Sequence, residues 1–247
     1  MSIVIITGGS RGLGASAALE CARRGMGIVL TYNSNAEAAR AVVQAIESDG
    51  GKAVALKLDL AESASFPAFR ETLRAALGRT WARDRFDALV NNAGYGLFRP
   101  IAEVGEDEFD DLYRVHLKGP FFLTQALLPL IANGGQILNV ASATVRVATP
   151  GVAPYAAFKG GLEVLTRYMA KEFGERRIRA NAIAPGPIRT ALGGGMSRAF
   201  ETLLAGQTAL GRVGEPDDFG GLIAGLLSDD HRWVNAQTIK VSGGYVI

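Results

Sequence analysis

Seven short, apolar, β-branched runs recur along this chain, and helical patterns rich in alanine lie between them. The runs fall at Ile3–Thr7, Gly27–Tyr32, Ala53–Leu58, Ala88–Asn91, Gln136–Ala141, Arg179–Ile183 and Thr238–Val241. They are continuous rather than alternating, which marks strands buried on both faces, as in parallel sheets. The helical patterns fall at Leu13–Arg24, Ala36–Asp49, Phe66–Leu77, Asp107–Ile131, Tyr155–Phe173 and Asp217–Leu227. Strand and helix in alternation close through right-handed βαβ units. The fold class expected is therefore α/β: a single domain over residues 1–247, a doubly wound parallel sheet of about seven strands flanked by helices. With 247 residues, 48% of them hydrophobic, the chain has apolar content for such a core. Two places break the pattern. Gly119-Pro120 inside the longest helix predicts a bend. Arg79–Arg85, with Trp81, is longer than a compact connection needs and reads as a surface excursion.

Several function classes drop out on composition. With 26 basic and 24 acidic residues the net charge is +2, so neither nucleic acid nor an anionic membrane is expected as a partner. Cys21 is the only cysteine, which excludes an internal disulfide and a cysteine metal cluster. His116 and His231, the two histidines, share no ligand spacing, and no metal is expected. The longest apolar run, near Phe121–Ala132, is interrupted by Thr124 and Gln125 and is too short to span a bilayer. The N-terminus enters Ile3-Val4-Ile5-Ile6 without a basic leader, so a cytoplasmic protein is the expectation.

Chemistry enters at the first strand-to-helix turn, Thr7-Gly8-Gly9-Ser10-Arg11-Gly12-Leu13-Gly14. Gly8, Gly12 and Gly14 let the backbone turn tightly and approach a pyrophosphate. The helix that follows offers free N–H groups and a positive dipole end. A dinucleotide is the ligand this predicts, with Ser10, Arg11 and Leu13 in the cradle. An acid at the end of the second strand would select NAD through the ribose 2′-hydroxyl. That strand ends Tyr32-Asn33-Ser34-Asn35 instead. Arg11 can pair with a 2′-phosphate, and Asn33 and Ser34 can donate to it. NADP(H) is therefore expected in preference to NAD(H).

The second constellation is Ser142 followed by Tyr155 and Lys159. Residues four apart on a helix share a face. A phenol near pH ~10 is too weak an acid to exchange protons at neutrality, and an ammonium beside it lowers that value. Ser142, from a strand end, can hold a carbonyl oxygen between itself and the phenol. The set reads as a general acid, its activator and a substrate-orienting donor.

The glycine loop, Asn91-Asn92-Ala93-Gly94, Ser142, Tyr155-x-x-x-Lys159 and Pro185-Gly186 occur in this order. Together they resemble the short-chain dehydrogenase/reductase family over essentially the whole chain, most closely its 3-oxoacyl-acyl-carrier-protein reductase-like and glucose-dehydrogenase-like members. The resemblance implies a Rossmann-type fold and an NAD(P)-dependent oxidoreductase. It assigns Tyr155 as acid/base, Lys159 as the residue that binds the nicotinamide ribose and lowers the phenol pKa, and Ser142 as the carbonyl-orienting donor. It implies that Asp59-Leu60 hold the adenine through the carboxylate and the next N–H, although Asp59 as a helix N-terminal residue stays open. Asn91 and its neighbours Asn92, Ala93 and Gly94 are expected to brace the central strand and line the adenosine side. Pro185, Gly186, Ile188 and Thr190 are expected to pass the carboxamide, with Thr190 as the contacting side chain. One motif departs: where the family often has Asn-Leu-Lys-Gly, this chain has His116-Leu117-Lys118-Gly119. In the family the main-chain carbonyl of that Asn holds a water leading to the lysine. His116 is therefore a candidate fourth catalytic residue, acting through its carbonyl in preference to its imidazole, with a merely packed side chain left open.

Substrate loops are expected beyond the strand carboxyl ends, at Tyr95–Pro100, at Ala143–Pro154 and after Thr190, where Gly193-Gly194-Gly195-Met196 suggests a hinged lid. Their lining is largely apolar; Arg146 and Arg189 can meet an anionic group or stay solvated. The reaction expected is interconversion of a small ketone and a secondary alcohol. An acyl carrier protein as partner, docking on Arg176, Arg177 and Arg179, remains an alternative, as does a non-catalytic NADP sensor on the same fold. Apolar residues on more than one face of the helices at Asp107–Ile131 and Tyr155–Phe173 predict a homotetramer.

Overall fold

The computed structural model describes residues 1–247. Seven parallel strands form one sheet: β1 (Ile3–Ile6), β2 (Gly27–Tyr32), β3 (Ala53–Lys57), β4 (Phe86–Asn91), β5 (Ile131–Val140), β6 (Arg179–Pro185) and β7 (Thr238–Val241). They lie in the order β3-β2-β1-β4-β5-β6-β7. The order reverses between β1 and β4, so the loops after these two strands part and leave a crevice at their carboxyl ends.

Side chains of each strand alternate between two cores. From β1, Val4 and Ile6 join Ile28, Leu30, Val90 and Ile183 under α1 (Gly12–Arg23), α2 (Ala36–Ser48) and α8 (Asp217–Leu226). Ile3 and Ile5 join Val29, Leu89 and Ile137 under α3 (Phe66–Trp81), α5 (Gly119–Leu127) and α6 (Ala153–Glu172). This is the Rossmann-type doubly wound sheet that the continuous apolar runs predicted. Helices α1 and α8 approach closely because residue 220 is glycine: a Cβ there would stand 2.5 Å from Ser16 Oγ. Ser16 Oγ in turn donates to Asp217 at 2.9 Å.

The predicted helix over 107–131 is three pieces. Residues Glu106–Tyr113 form α4, Arg114–Lys118 make a π turn, and α5 follows. The Gly119 N–H reaches back to the Arg114 carbonyl, five residues earlier. The bend thus lies before Gly119-Pro120, and Pro120 sits in the first turn of α5, where its missing N–H costs nothing. The helical pattern also overran its end, since Ile131 already pairs with Phe86 as the first residue of β5.

Nor is Arg79–Arg85 an excursion. Helix α3 runs on through Trp81, whose ring covers Gly27; a Cβ on Gly27 would be 2.6 Å from Trp81 Nε1. Arg83 then clamps Asp87 with two bonds of 2.9 and 3.0 Å, and Asp87 accepts the Ile3 N–H at 2.7 Å. A short helix missing from the sequence reading, α7 (Arg198–Gly206), is capped by Ser197.

Candidate active site

Three loops border the crevice. The first follows β1. Gly8 and Gly12 have φ of +64° and +55°, the left-handed region where side chains are strained. A Cβ on Gly8 would be 2.8 Å from Ala93 Cα, and one on Gly14 would be 2.4 Å from the Gly8 carbonyl. A Cβ on Gly12, by contrast, would meet only the Thr190 methyl at 3.8 Å. Gly12 and Thr190 therefore face each other at close to van der Waals distance. The amides of Ser10, Arg11, Gly12 and Leu13 have no backbone acceptor, as befits a helix start. Leu13, in the first turn of α1, packs its half-buried side chain against the core. Asn92, expected with its neighbours to brace the central strand, pins the glycine loop by donating to the carbonyls of Thr7 and Gly8 at 2.8 and 3.3 Å. These features fit the phosphates of a dinucleotide. The cofactor's chemistry when bound is to supply or take up a hydride.

Farther out, Arg11 is exposed and pairs with no carboxylate, while Asn33 and Ser34 are exposed beyond β2. Asn35 caps α2 by accepting the Ala38 N–H. No acid ends β2. Asp59 follows β3 and accepts the Ala61 N–H at 2.9 Å through one oxygen; it caps a turn before any helix begins, and the neighbouring Leu60 is buried. Gly94 borders the crevice over His116.

Asn91 is different. Its side chain is buried on the face of the sheet covered by α5 and α6 and donates to Asn139 Oδ1 at 2.8 Å and Thr124 Oγ1 at 3.3 Å. Asn139 continues the ladder to Thr166 at 2.8 Å. It braces β4 and β5, as expected. Its side chain is thereby committed to the ladder rather than offered to the crevice.

On the other side of the switch point, Gly186 donates to the Val241 carbonyl at 3.0 Å and lies against Ser242. Ile188 bridges to Gly214. Thr190 Oγ1 accepts the Leu192 N–H at 3.3 Å, which fixes Pro185–Thr190 along the crevice opposite the glycine loop.

Ser142, Tyr155 and Lys159 converge at the carboxyl end of β5. Ser142 Oγ accepts from the Thr144 N–H at 3.2 Å and the Thr144 hydroxyl at 2.9 Å, so its own proton is free to donate. Lys159 Nζ donates to the Val140 carbonyl at 2.6 Å and lies 5.6 Å from the Tyr155 ring centroid. Burial draws the ammonium pKa down to about 8. Burial also holds the Tyr155 phenol above its ordinary value, opposed by the Ser142 hydroxyl. The expected depression by Lys159 is thus not met in the protein alone: the ammonium is tied to Val140, and desolvation of the phenolate dominates. A protonated phenol is the form needed to donate to a carbonyl oxygen.

His116 sits in the π turn. It is buried, with its ring edge-on to Tyr155 at 5.0 Å and 81°. Burial and the Lys159 charge hold it well below the ordinary imidazole value.

The outer loops close on one another. Phe98 packs on Gly193, where a Cβ would be 2.6 Å from the ring, and Arg99 donates to the Gly151 carbonyl at 2.7 Å. Gly193, Gly194 and Gly195 all have positive φ, so this turn needs glycine. The basic residues considered for anions are committed elsewhere. Arg146 donates to the carbonyls of Tyr245 and Val246, and Arg189 pairs with Glu201 and Glu215. Arg176 and Arg179 hold backbone carbonyls near the amino end of β6, at the opposite end of the sheet from the crevice. Arg177 lies beside them, left-handed at φ 56°. None of the three borders the site. No helix is long and apolar enough to cross a membrane, and no cluster of three or more potential metal ligands exists.

Comparison with known proteins agrees with this geometry. Residues 8–246 match the family model described as Enoyl-(Acyl carrier protein) reductase. An uncharacterized oxidoreductase of Methylorubrum extorquens is 36% identical over 245 residues, covering 98% of this chain and 96% of its own. The hydroxynaphthalene reductase-like protein Arp2 of Metarhizium robertsii is 34% identical over 259 residues, covering 99% and 94%. Among solved structures, the angucycline C-6 ketoreductase LanV with bound NADP superposes with a TM-score of 0.95 at 33% identity, covering 99% of this chain and 95% of that one.

Proposed function

We propose, from the premise that this chain belongs to the short-chain dehydrogenase/reductase family of oxidoreductases, that it is an NADP(H)-dependent reductase of small apolar ketones. The observation that carries the reading is the convergence of Ser142, Tyr155 and the buried Lys159 beside a crevice built for a dinucleotide. A carbonyl oxygen between Ser142 Oγ and the Tyr155 hydroxyl accepts from both. As hydride reaches the carbonyl carbon, Tyr155 gives its proton to that oxygen, and the alcohol leaves a phenolate. Lys159 stabilises that phenolate and is held in place by Val140. Ser142 keeps its proton directed at the substrate because Thr144 fills its acceptor side.

NADP(H) over NAD(H) is supported by the free Arg11 guanidinium and the absence of an acid at the end of β2. An aromatic or otherwise flat apolar ketone is supported by Tyr95, Phe98, Val145 and Leu192, all partly exposed at the mouth. The names of the ketoreductase and hydroxynaphthalene reductase-like relatives point the same way. A carrier-protein thioester is the weaker reading, since Arg176, Arg177 and Arg179 stand away from the mouth. Self-association is part of the proposal. A groove of about 430 Å³ crosses the outer face of the paired helices, lined by Leu117, Phe121, Phe122, Val164, Leu165 and Tyr168. A homotetramer would cover it.

The test is NADPH oxidation with naphthol-type ketones, β-keto esters and β-ketoacyl thioesters, beside NADH controls. Turnover of the aryl ketones with NADPH is expected. Turnover of thioesters alone would move the substrate class, and no turnover with bound NADPH would favour a sensor.

A further inference from the structure

Ser142 orients a carbonyl only if its own hydroxyl is held, and a short turn holds it. Thr144 gives its N–H at 3.2 Å and its hydroxyl at 2.9 Å to Ser142 Oγ. Residues Ala143–Val145 form a 3₁₀ turn. The Val145 N–H closes it on the Ser142 carbonyl at 3.2 Å, and the amides of Arg146 and Val147 both reach the Ala143 carbonyl at 2.9 Å.

Packing supports this turn unevenly. Ala143 is buried in a small cluster with Leu204, Val213 and Tyr245. Toward Glu163 on α6 and Thr238 and Lys240 on β7, however, Ser142, Ala143, Val145 and Arg146 border a cavity of about 100 Å³. A void supplies no contacts, so on that side something other than packing must fix the turn. Arg146 is placed to do so. Its guanidinium donates to the Val246 carbonyl at 2.5 Å and to the Tyr245 carbonyl at 2.7 Å. These are charge-assisted bonds, and no backbone N–H competes for either carbonyl. The segment it grips is itself anchored beyond the end of α7. Ala209 and Leu210 donate to the carbonyls of Gly244 and Gly243 at 3.2 and 3.1 Å, and Val246 donates to Gln207 at 3.0 Å.

We infer that Arg146 is a positioning residue: by gripping the chain at Tyr245 and Val246 it holds the Ser142–Arg146 turn beside the cavity, and through Thr144 it aims the Ser142 hydroxyl at the carbonyl. This deepens the reductase reading and rests on it. Ser142 matters most when negative charge gathers on the carbonyl oxygen, so a misaimed hydroxyl lowers kcat more than it raises KM. In this role Arg146 contacts neither substrate nor cofactor, and its whole effect passes through Ser142.

The test is a double-mutant cycle on a neutral aryl ketone. Arg146→Gln is expected to lower kcat about tenfold and to leave NADPH affinity unchanged. Arg146→Lys, which reaches one carbonyl, is expected to fall between. In a Ser142→Ala background, Arg146→Gln is expected to cost less than about twofold. An equal loss in both backgrounds, a native kcat in Arg146→Gln, or a loss confined to anionic ketones overturns the inference. A second measurement needs no turnover. Amide exchange at Val145, Arg146 and Val147 is expected to quicken at least about tenfold in Arg146→Gln, while Ile137–Val140 of β5 keep wild-type rates. Gly244→Ala moves the gripped carbonyls without touching Arg146, since residue 244 has φ +79° and a Cβ there would stand 2.7 Å from Ala209 Cβ. The same quickening is expected. Wild-type exchange in the turn of either variant overturns the inference, as does an equal loss of protection in β5. If wild type reduces no ketone, the reductase reading fails, and the exchange rates still decide whether Arg146 holds the turn.

Discussion

Lys159 and Val140 meet at 2.6 Å, the side-chain ammonium donating to the backbone carbonyl of the last residue of β5. The lysine forms no ion pair. A buried cation held by a carbonyl alone is a stability cost accepted for position, and its pKa falls from 10.5 to about 8.

The sign of that cost is testable. Between pH 8 and 10.5 the unfolded chain binds the lysine proton and the folded chain does not, so stability rises with pH there and the full cost is present below 8. The gap corresponds to about 3 kcal/mol at most, reduced by about 1 kcal/mol for the Val140 bond. Lys159→Met is expected to raise Tm at neutral pH, by less near pH 10, while catalysis collapses. A lower Tm at neutrality would show that the carbonyl bond outweighs desolvation.

Tyr155→Phe keeps the ring contact with His116 and removes the proton. Ketone reduction is expected to fall at least ~10²-fold with NADPH affinity unchanged. Near-native turnover would place the acid elsewhere.

For the cofactor, a charge-assisted bond from Arg11 to a 2′-phosphate contributes about 1.5–3 kcal/mol. Arg11→Ala is therefore expected to lower kcat/KM for NADPH by roughly tenfold to a hundredfold and to leave NADH little changed. Equal losses with both cofactors would assign Arg11 to the loop rather than to the phosphate.

The outer groove gives a prediction on assembly. Phe122 is 39% exposed and lines it. Light scattering is expected to report a tetramer for wild type and smaller species for Phe122→Asp, because a carboxylate cannot be buried there unpaired. A monomeric wild type would count against self-association.

Much of the fold was legible in the chain because the relevant signals are local. Continuous apolar runs such as Ile3–Ile6 and Gly27–Tyr32, alternating with helical patterns, mark strands covered on both sides, as in parallel sheets. The glycine loop was legible for the same reason, since positive φ at Gly8 and Gly12 is a demand on single residues. That Tyr155 and Lys159 share one helix face follows from helical period, while their roles rest on the other motifs and the resemblance to the family. Harder to read were features set by what packs against a segment. The π turn at Arg114–Lys118 has the composition of an ordinary helix, and Trp81 declares its partner Gly27 only across the fold.

The sequence by itself determined the βαβ alternation, the glycine turn after the first strand and the residue types of the candidate catalytic set, because each is fixed by backbone period or by a side chain's own chemistry. Tertiary structure alone decided where charge and protons reside. It placed Asn91 in a buried ladder, committed Arg146, Arg176, Arg179 and Arg189 to structural partners, tied Lys159 to Val140 and left His116 Nδ1 bare. Desolvation and hydrogen-bond satisfaction depend on what surrounds a group in space, and most of those neighbours lie far away along the chain.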